Sequence, residues 1–143
     1  MDVDSIRLIG AVEKALGRVF DPYSLEDLFI MQRGCYILNN WGVEPIHRYD
    51  RYFGGPFSED LGVEYRDLQD EGVRFTTDVD EGTLIRLREL FDRGTDFVHA
   101  YSTLLTIREV CPNSKIDDVV RHAHRMEPEL GDNIEGASAL LTR

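Results

Sequence analysis

The sequence predicts a mainly α-helical (α+β) fold: a compact bundle of about six helices with a small two- or three-stranded antiparallel β element inserted around residues 47–87. Apolar residues recur at three- and four-residue steps over most of the chain, which is the period of a buried helix face. Aromatic residues gather beside glycine and proline between residues 47 and 57, a pattern typical of short strands and turns. The 143 residues contain no internal repeat and no low-complexity tract, so we expect a single domain spanning residues 1–143.

The first two helices are predicted from apolar spacing and from capping residues. Residues 3–19 form an amphipathic pattern that Pro22 ends. Ser24 then offers an N-cap, with acidic residues in the turn that follows. The helix of about residues 25–40 is apolar over much of its circumference, so we expect it to be the most buried helix. Cys35 lies inside that pattern and is predicted to be a buried thiol rather than half of a disulfide.

The predicted β element lies between the second and third helices. Residues 47–53 mix Tyr, Phe and Arg and suit a short strand. Residues 54–56, Gly-Gly-Pro, are predicted to form a tight turn that leads into a helix. Ser58 is the expected N-cap of that helix, residues 59–71. The alternation of apolar residues over residues 73–75 predicts a further strand.

The C-terminal half is predicted to be helical. Residues 83–91 suit either the return strand of a hairpin or a helix, and the spacing of their apolar residues favours the helix. Residues 95–111 carry an apolar stripe with polar flanks and are predicted to form a longer helix. A short helix is expected to start near Ser114, Pro128 to interrupt the chain, and Asp132 to open a last helix.

The charge balance narrows the classes of partner. Sixteen basic residues face 27 acidic ones, which gives a net charge of −11. Such a surface repels phosphate backbones, so nucleic acid is not expected as a partner. Only Lys14 and Lys115 are lysines, and this preference for arginine together with an acidic surface suggests a prokaryotic source with a GC-rich genome or a salt-rich cytoplasm. Stability that falls between dilute and molar salt would contradict the halophile hypothesis.

No motif in the sequence predicts a reaction, a cofactor or a metal. His122 and His124 are two residues apart, a spacing that puts them on different faces of a helix, and the HExxH pattern of zinc enzymes is absent. Neither a GxSxG elbow, a Walker loop nor a GxGxxG turn is found. The acidic start at Asp2 and Asp4 does not resemble a signal peptide, and no apolar run approaches the ~20 residues of a membrane span. We therefore expect a cytoplasmic protein without a membrane segment, a cofactor or a metal.

Two stretches resemble a known family. Residues 31–38 (MQRGCYIL) are similar to the "LQK-x-x-Y-x-L" helix of the YwgA-like family, which is related to the Panacea antitoxin domain. Residues 55–61 (GPFSEDL) match that family's "YGPYSxxL" turn, and residues 68–73 fit its "L-x-x-x-G-L-V" helix end. Residues 104–107 are a looser match to its "LLxTI" helix. The chain departs from the pattern at Met31, Arg33 and Gly54, where the family has Leu, Lys and Tyr.

The resemblance implies a helical domain with a small sheet and, as in Panacea relatives, neutralisation of a toxin through protein contact. Gln32 and Tyr36 are one helical turn apart and share a face, so both are expected to meet the Gly-Pro-Phe-Ser segment. Arginine and tyrosine near that segment are residue types enriched at interface hot spots, although core packing of these aromatic residues is the simpler alternative. The predicted binding site comprises Gln32, Arg33, Tyr36, Tyr52, Gly55, Pro56, Phe57 and Ser58.

The favoured function is therefore a protein–protein binding module of antitoxin or regulatory type, whose partner is another protein such as a toxin or a basic protein. One alternative is a winged-helix-like transcriptional regulator built from residues 57–87. Its recognition helix, residues 59–71, would carry six acidic residues against Arg66 alone, which disfavours contact with DNA. The other alternative is an enzyme of an unrecognised type, with a pocket that gathers Gln32, Tyr36, Ser58 and a histidine. The oligomeric state is left open.

Overall fold

Seven α-helices, one β-hairpin and one 3-10 turn make up the described part of the chain, which in this computed structural model is residues 4–52 and 55–141. The prediction of a mainly helical fold with a small β element is confirmed. The elements in chain order are α1 (Asp4–Leu16), α2 (Leu25–Asn40), β1 (Asp50–Tyr52), β2 (Gly55–Phe57), α3 (Glu59–Asp70), α4 (Glu81–Asp92), α5 (Thr95–Val110), α6 (Ile116–Met126), the 3-10 turn (Pro128–Leu130) and α7 (Asn133–Leu141).

The chain divides into two compact units, Met1–Glu89 and Leu90–Arg143. The boundary between them falls within α4. The expectation of a single domain over residues 1–143 stays a prediction. No helix among residues 4–52 and 55–141 is both long enough and apolar enough to cross a membrane.

Helix α2 is the most buried helix of the first unit, as its apolar composition predicts. Ser24 caps it: the Ser24 side chain accepts a hydrogen bond from the Asp27 main-chain N–H, which satisfies a free donor of the first turn. Nine consecutive residues, 31–39, are buried, and so is Leu28. Cys35 is a fully buried free thiol, and burial raises its pKa because the thiolate would lose its hydration.

Helix α1 is shorter than the predicted helix of residues 3–19. It ends at Leu16 because Gly17 adopts a φ of 66°, a left-handed conformation that terminates helices and favours glycine. Val19, expected on the buried face, lies beyond this end and is 73% exposed. Residue 3 of the predicted helix lies outside the described residues.

The β element is a two-stranded antiparallel hairpin in which Asp50 lies opposite Phe57, Arg51 opposite Pro56 and Tyr52 opposite Gly55. Of the predicted strand of residues 47–53, residues 50–52 form β1 and residues 47–49 lie outside it. Gly55 and Pro56 belong to β2 and not to the tight turn predicted for residues 54–56. A proline is tolerated in a strand with a free edge because it need not donate to a ladder there. Phe53 and Gly54 lie outside the described residues.

The prediction that Val73 and Phe75 lie in a β-strand of a sheet is wrong. Residues 73–80 form neither a helix nor a ladder with any described strand. Their side chains nevertheless alternate between more buried at odd numbers and exposed at even numbers, which is the period of an extended strand. Residues 83–91 are helical, as their apolar spacing favours, and lie within α4.

In the second unit α5 packs against α6 and α7. Gly136 of α7 permits close approach, because a Cβ there would lie 3.1 Å from the Phe97 ring. The predicted short helix is α6, but Ser114 does not cap it: Lys115 precedes the helix and makes no capping bond through its side chain. The last helix starts at Asn133, one residue after the predicted Asp132.

Candidate functional site

Gln32 of α2 binds both main-chain groups of Ser58, at the point where β2 leads into α3. The Gln32 Nε2 donates to the Ser58 carbonyl oxygen at 2.9 Å, and the Ser58 N–H donates to Gln32 Oε1 at 3.0 Å. Both residues are only 1% exposed. The side-chain amide of Gln32 thus satisfies the buried Ser58 N–H, and it adds a second donor to a carbonyl oxygen that also accepts from the Gly62 N–H.

Ser58 also starts helix α3. Its Oγ accepts a hydrogen bond from the Leu61 main-chain N–H at 3.3 Å, as an N-cap does. Glu59 and Asp60 follow in the first turn, where negative charge is favoured by the helix dipole. The Gln32–Ser58 hydrogen-bond pair therefore determines where α3 begins and in which direction it leaves the hairpin.

Arg33 lies beside the hairpin, next to Gly55 at the start of β2. Its side chain is largely buried, and a Cβ added to Gly55 would lie 2.8 Å from Arg33 Nη2. Gly55 also has a φ of 108°, which side chains rarely adopt. The two residues of the predicted site are close neighbours, and the positive φ is the reason why glycine is favoured at position 55.

Tyr36 packs on Tyr49. The two rings meet edge to face, with centroids 5.1 Å apart and planes at 78°. The Tyr49 hydroxyl donates to Asn39 Oδ1 at 2.9 Å, and Asn39 Nδ2 donates to the carbonyl oxygens of Val43 and Pro45, both at 2.8 Å. Tyr36 is 3% exposed, so its ring supports the connection between α2 and the hairpin.

The structure brings the predicted site together but turns most of it inward. Besides Gln32, Arg33, Tyr36 and Ser58, Pro56 is buried, and Phe57 is half-buried with its ring 5.8 Å from that of Phe29. The Tyr52 main chain pairs with Gly55, and its side chain lies outside what the structure describes. Of the seven site positions whose burial the structure describes, Gly55 and Phe57 alone are partly accessible.

The face of α3 opposite its buried side is a surface that sequence reasoning missed. Leu61, Tyr65 and Leu68 are buried, whereas four residues on the other face are exposed, Val63 at 53% among them. We call this surface the acidic stripe; it comprises Asp60, Val63, Asp67 and Asp70. Spacings of three, four and three residues place these four side chains on one side of the helix.

Tyr23 extends the acidic stripe from the loop between α1 and α2. Its hydroxyl donates to Asp70 Oδ2 at 2.7 Å, and that hydrogen bond raises the pKa of the phenol. Arg66 lies 6.0 Å from the ring centroid and its Nε donates to the Pro22 carbonyl oxygen at 3.4 Å. The Tyr23 side chain is 63% exposed. The carboxylates of Asp60 and Asp67 make no hydrogen bond or ion pair with other described residues.

The acidic residues of the stripe were visible in the sequence, and their three- and four-residue spacing was the available signal. The position of Tyr23 beside the stripe could not be seen in the sequence, because Tyr23 lies 47 residues from its partner Asp70. A loop residue gives no periodicity from which its partner on another helix can be found.

Polar clusters elsewhere are small. Ser5 Oγ lies 3.2 Å from His47 Nε2 and donates to Glu64 Oε2 at 2.5 Å. Ser5 is fully buried, so these bonds connect α1 to α3 and to the loop that carries His47. In the second unit His124 binds Glu135, and His99 lies 3.5 Å from Glu127. Across residues 4–52 and 55–141, no group of three or more His, Cys, Asp or Glu side chains is arranged to hold a metal ion.

Comparisons of the chain with models of known protein families, with curated proteins and with solved structures found no match.

Proposed function

We propose that the chain is a protein–protein binding module of antitoxin or regulatory type, and that it docks a basic surface of another protein on the acidic stripe and Tyr23. The observation that carries this proposal is the exposed, uncompensated negative charge of Asp60 and Asp67 beside two exposed apolar side chains, Val63 and Tyr23. Burial of the apolar groups supplies affinity, and the carboxylates supply orientation and rapid association.

The helix that carries the stripe is held in place by the interior of the unit. It begins at the Gln32–Ser58 hydrogen-bond pair, and the Tyr65 hydroxyl on its buried face donates to the Phe20 carbonyl oxygen at 2.7 Å. A backbone that is already ordered loses little conformational entropy on binding. The segments that resemble the Panacea-related family, residues 31–38 and 55–61, are those that build this support, which is in keeping with an antitoxin role.

The charge of α3 favours a basic protein over nucleic acid. The only basic residue of the helix is Arg66, and its Nε is engaged by Pro22. A phosphate backbone would meet the carboxylates of the stripe at close range and gain no counter-charge there. A protein that itself binds nucleic acid carries the complementary lysines and arginines, and this chain would compete for that surface.

The test is recovery of a partner by the tagged full chain from its source organism, followed by mass spectrometry, in parallel with two paired variants. Asp60→Asn with Asp67→Asn neutralises two carboxylates of the stripe. Glu89→Gln with Asp92→Asn neutralises two exposed carboxylates of α4 and leaves the stripe intact. The parent chain and the α4 variant are expected to retain a stoichiometric basic partner, and the stripe variant to lose most of it.

Two further readouts separate this function from nonspecific attraction. The complex should weaken on addition of salt, because exposed charges are screened within ~8–10 Å at physiological ionic strength. Tyr23→Ala should weaken the complex at constant net charge, which nonspecific attraction would not show. Equal recovery by the two charge variants, or no stoichiometric partner with the parent chain, would overturn the proposal. A partner that is toxic when expressed alone would identify the antitoxin type.

A further inference from the structure

The main chain of residues 74–77 makes no hydrogen bond with the rest of the described chain. The neighbouring groups are satisfied: the Val73 N–H donates to the Leu68 carbonyl oxygen at 3.0 Å, and the Val79 N–H donates to Thr77 Oγ1 at 3.2 Å. Amide and carbonyl groups on an extended segment without a ladder are an open edge, the kind of backbone onto which another strand adds.

This segment is held in place despite its unpaired main chain. The Phe75 ring packs edge to face on Tyr65, with centroids 5.4 Å apart. The Thr76 main chain rests directly on α1 at Gly10, where a Cβ would lie 2.6 Å from the Thr76 oxygen. Together with the alternating exposure of residues 73–80, these contacts preset the strand conformation, which lowers the entropy cost of adding a partner strand.

A cleft of about 490 Å³ lies along this edge. One wall is residues 74–77, and the other is the last turns of α1 and the start of the following loop, with Glu13, Lys14, Gly17 and Val19. The volume is within the ~300–1,000 Å³ of ordinary ligand sites. The cleft beside residues 74–77 therefore has room for a short length of polypeptide.

The cleft carries the opposite balance of charge to the acidic stripe. Lys14 and Arg74 make no ion pair with other described residues, whereas Arg18 is already paired with Asp27 at 2.5 Å. Glu13 Oε2 is buried and has no hydrogen-bond partner in the described part of the chain. Two uncompensated cations in a chain of net charge −11 suit a carboxylate, and the buried oxygen suits an N–H or O–H donor.

We propose that residues 74–77 are the acceptor edge for an extended, carboxylate-bearing segment of a partner protein, which adds as a β-strand in this cleft. The carboxylate of that segment faces Lys14 and Arg74, and one of its N–H or O–H groups donates to Glu13. This goes beyond the proposed function, because it uses another face of the unit and the opposite charge. Main-chain pairing provides the affinity, and the cleft cations select the acidic sequence.

The experiment titrates the isotopically labelled full chain with the acetylated and amidated peptide Thr-Val-Glu-Val-Thr and follows the amide NMR signals and their hydrogen exchange. Two control peptides are matched to it: one has its alternate amides N-methylated, and the other carries Lys in place of Glu. The parent peptide is expected to shift the amides of residues 74–77 and to slow the exchange of at least two of them tenfold or more. Both control peptides should bind at least tenfold more weakly.

The chain itself supplies a matched pair of variants in its two lysines. Lys14→Glu should weaken binding of the Glu peptide at least tenfold, and Lys115→Glu, which makes the same charge change in the other unit, should not. Asp60→Asn with Asp67→Asn should leave peptide binding unchanged, so the two proposals can fail separately. The inference is overturned if millimolar peptide causes no shifts of the amide signals, or if the N-methylated peptide binds equally well. It is also overturned if, without peptide, the protection of residues 74–77 from hydrogen exchange rises with protein concentration. That result would identify a second copy of the chain as the occupant.

Discussion

The side-chain amide of Gln32 forms hydrogen bonds with both main-chain groups of Ser58, 26 residues further along the sequence. It accepts from the N–H and donates to the carbonyl of the same residue, so a single buried side chain closes both bonds. The same serine caps α3 and is thereby linked to the acidic stripe. Loss of one amide should consequently affect both the stability of the unit and the position of its exposed helix.

Replacing Gln32 by Leu should destabilise the protein by roughly 1–3 kcal/mol. The variant leaves the buried Ser58 N–H without its partner, whereas the Ser58 carbonyl oxygen still accepts a hydrogen bond from the Gly62 N–H at 3.0 Å. Urea denaturation followed by circular dichroism measures the change. The control is Gln69→Leu, on the exposed surface of α3, which should stay within about 0.5 kcal/mol of the parent. Equal effects of the two substitutions would contradict a specific role for Gln32.

Replacing Tyr36 by Ala should destabilise the protein by about 3–5 kcal/mol, the range for truncation of buried aromatic side chains. The ring is buried against Tyr49, so its removal leaves a cavity beneath the start of the hairpin. Tyr23→Ala removes an exposed ring and should change the free energy of unfolding by less than about 1 kcal/mol. An unchanged melting temperature for Tyr36→Ala, together with loss of a partner, would show instead that Tyr36 belongs to an interface.

Replacing Gly10 by Ala should destabilise the protein by about 1–3 kcal/mol, although alanine is favoured over glycine by ~1 kcal/mol in a helix interior. The added Cβ would lie 2.6 Å from the Thr76 main-chain oxygen, so α1 and residues 73–77 must separate. Gly62→Ala in α3 is the matched control, because its nearest neighbour would be Gln32 Nε2 at an ordinary 3.5 Å. Thermal unfolding should show opposite signs for the two variants, and stabilisation by both would disprove the close approach at Gly10.

Replacing Glu13 by Gln should stabilise the protein increasingly as the pH rises. Burial raises the pKa of this carboxyl above its ordinary 4.5, partly offset by a hydrogen bond from the Phe20 main chain. The folded state therefore binds more protons than the unfolded state above pH 4.5, and the parent loses stability as pH rises through the folded pKa. The variant, which cannot ionise, escapes this loss. Urea denaturation between pH 4 and pH 8 should show a difference that is smallest at the acid end; a difference independent of pH would rule out the titration of Glu13 as its cause.

Glu135 should show the opposite dependence on pH. Its hydrogen bond with His124 lowers the pKa of the carboxyl, so the stabilisation it contributes is present above its ordinary pKa of 4.5 and is lost as the pH falls through the folded value. Glu135→Gln should therefore be less stable than the parent at pH 6, and the two should converge in acid. The pair is exposed, so we expect the difference at pH 6 to be well under 1 kcal/mol. Divergence of the two proteins as the pH falls would contradict this assignment.

Most of the helices could be predicted from the sequence, because the signals for a helix are local. The caps at Ser24 and Ser58 act within three residues, and the apolar spacing of α2 predicts its burial without knowledge of what covers it. The helical choice for residues 83–91 follows from the same periodicity. The burial of Cys35 was predictable for the same reason.

The contacts between segments that are distant in the sequence could not be predicted, because they depend on the tertiary structure. Residues 73–80 alternate as a strand does, yet a strand needs a neighbour, and no described segment of the chain supplies one. The prediction that Gln32 meets the Gly-Pro-Phe-Ser segment (residues 55–58) is confirmed. That its amide forms hydrogen bonds with the Ser58 main chain depends on packing and could not be predicted. The contact of Tyr23 with Asp70 has no local signal at all. Propensity and capping act over a few residues, whereas burial and hydrogen bonding between segments depend on where the folded chain places them.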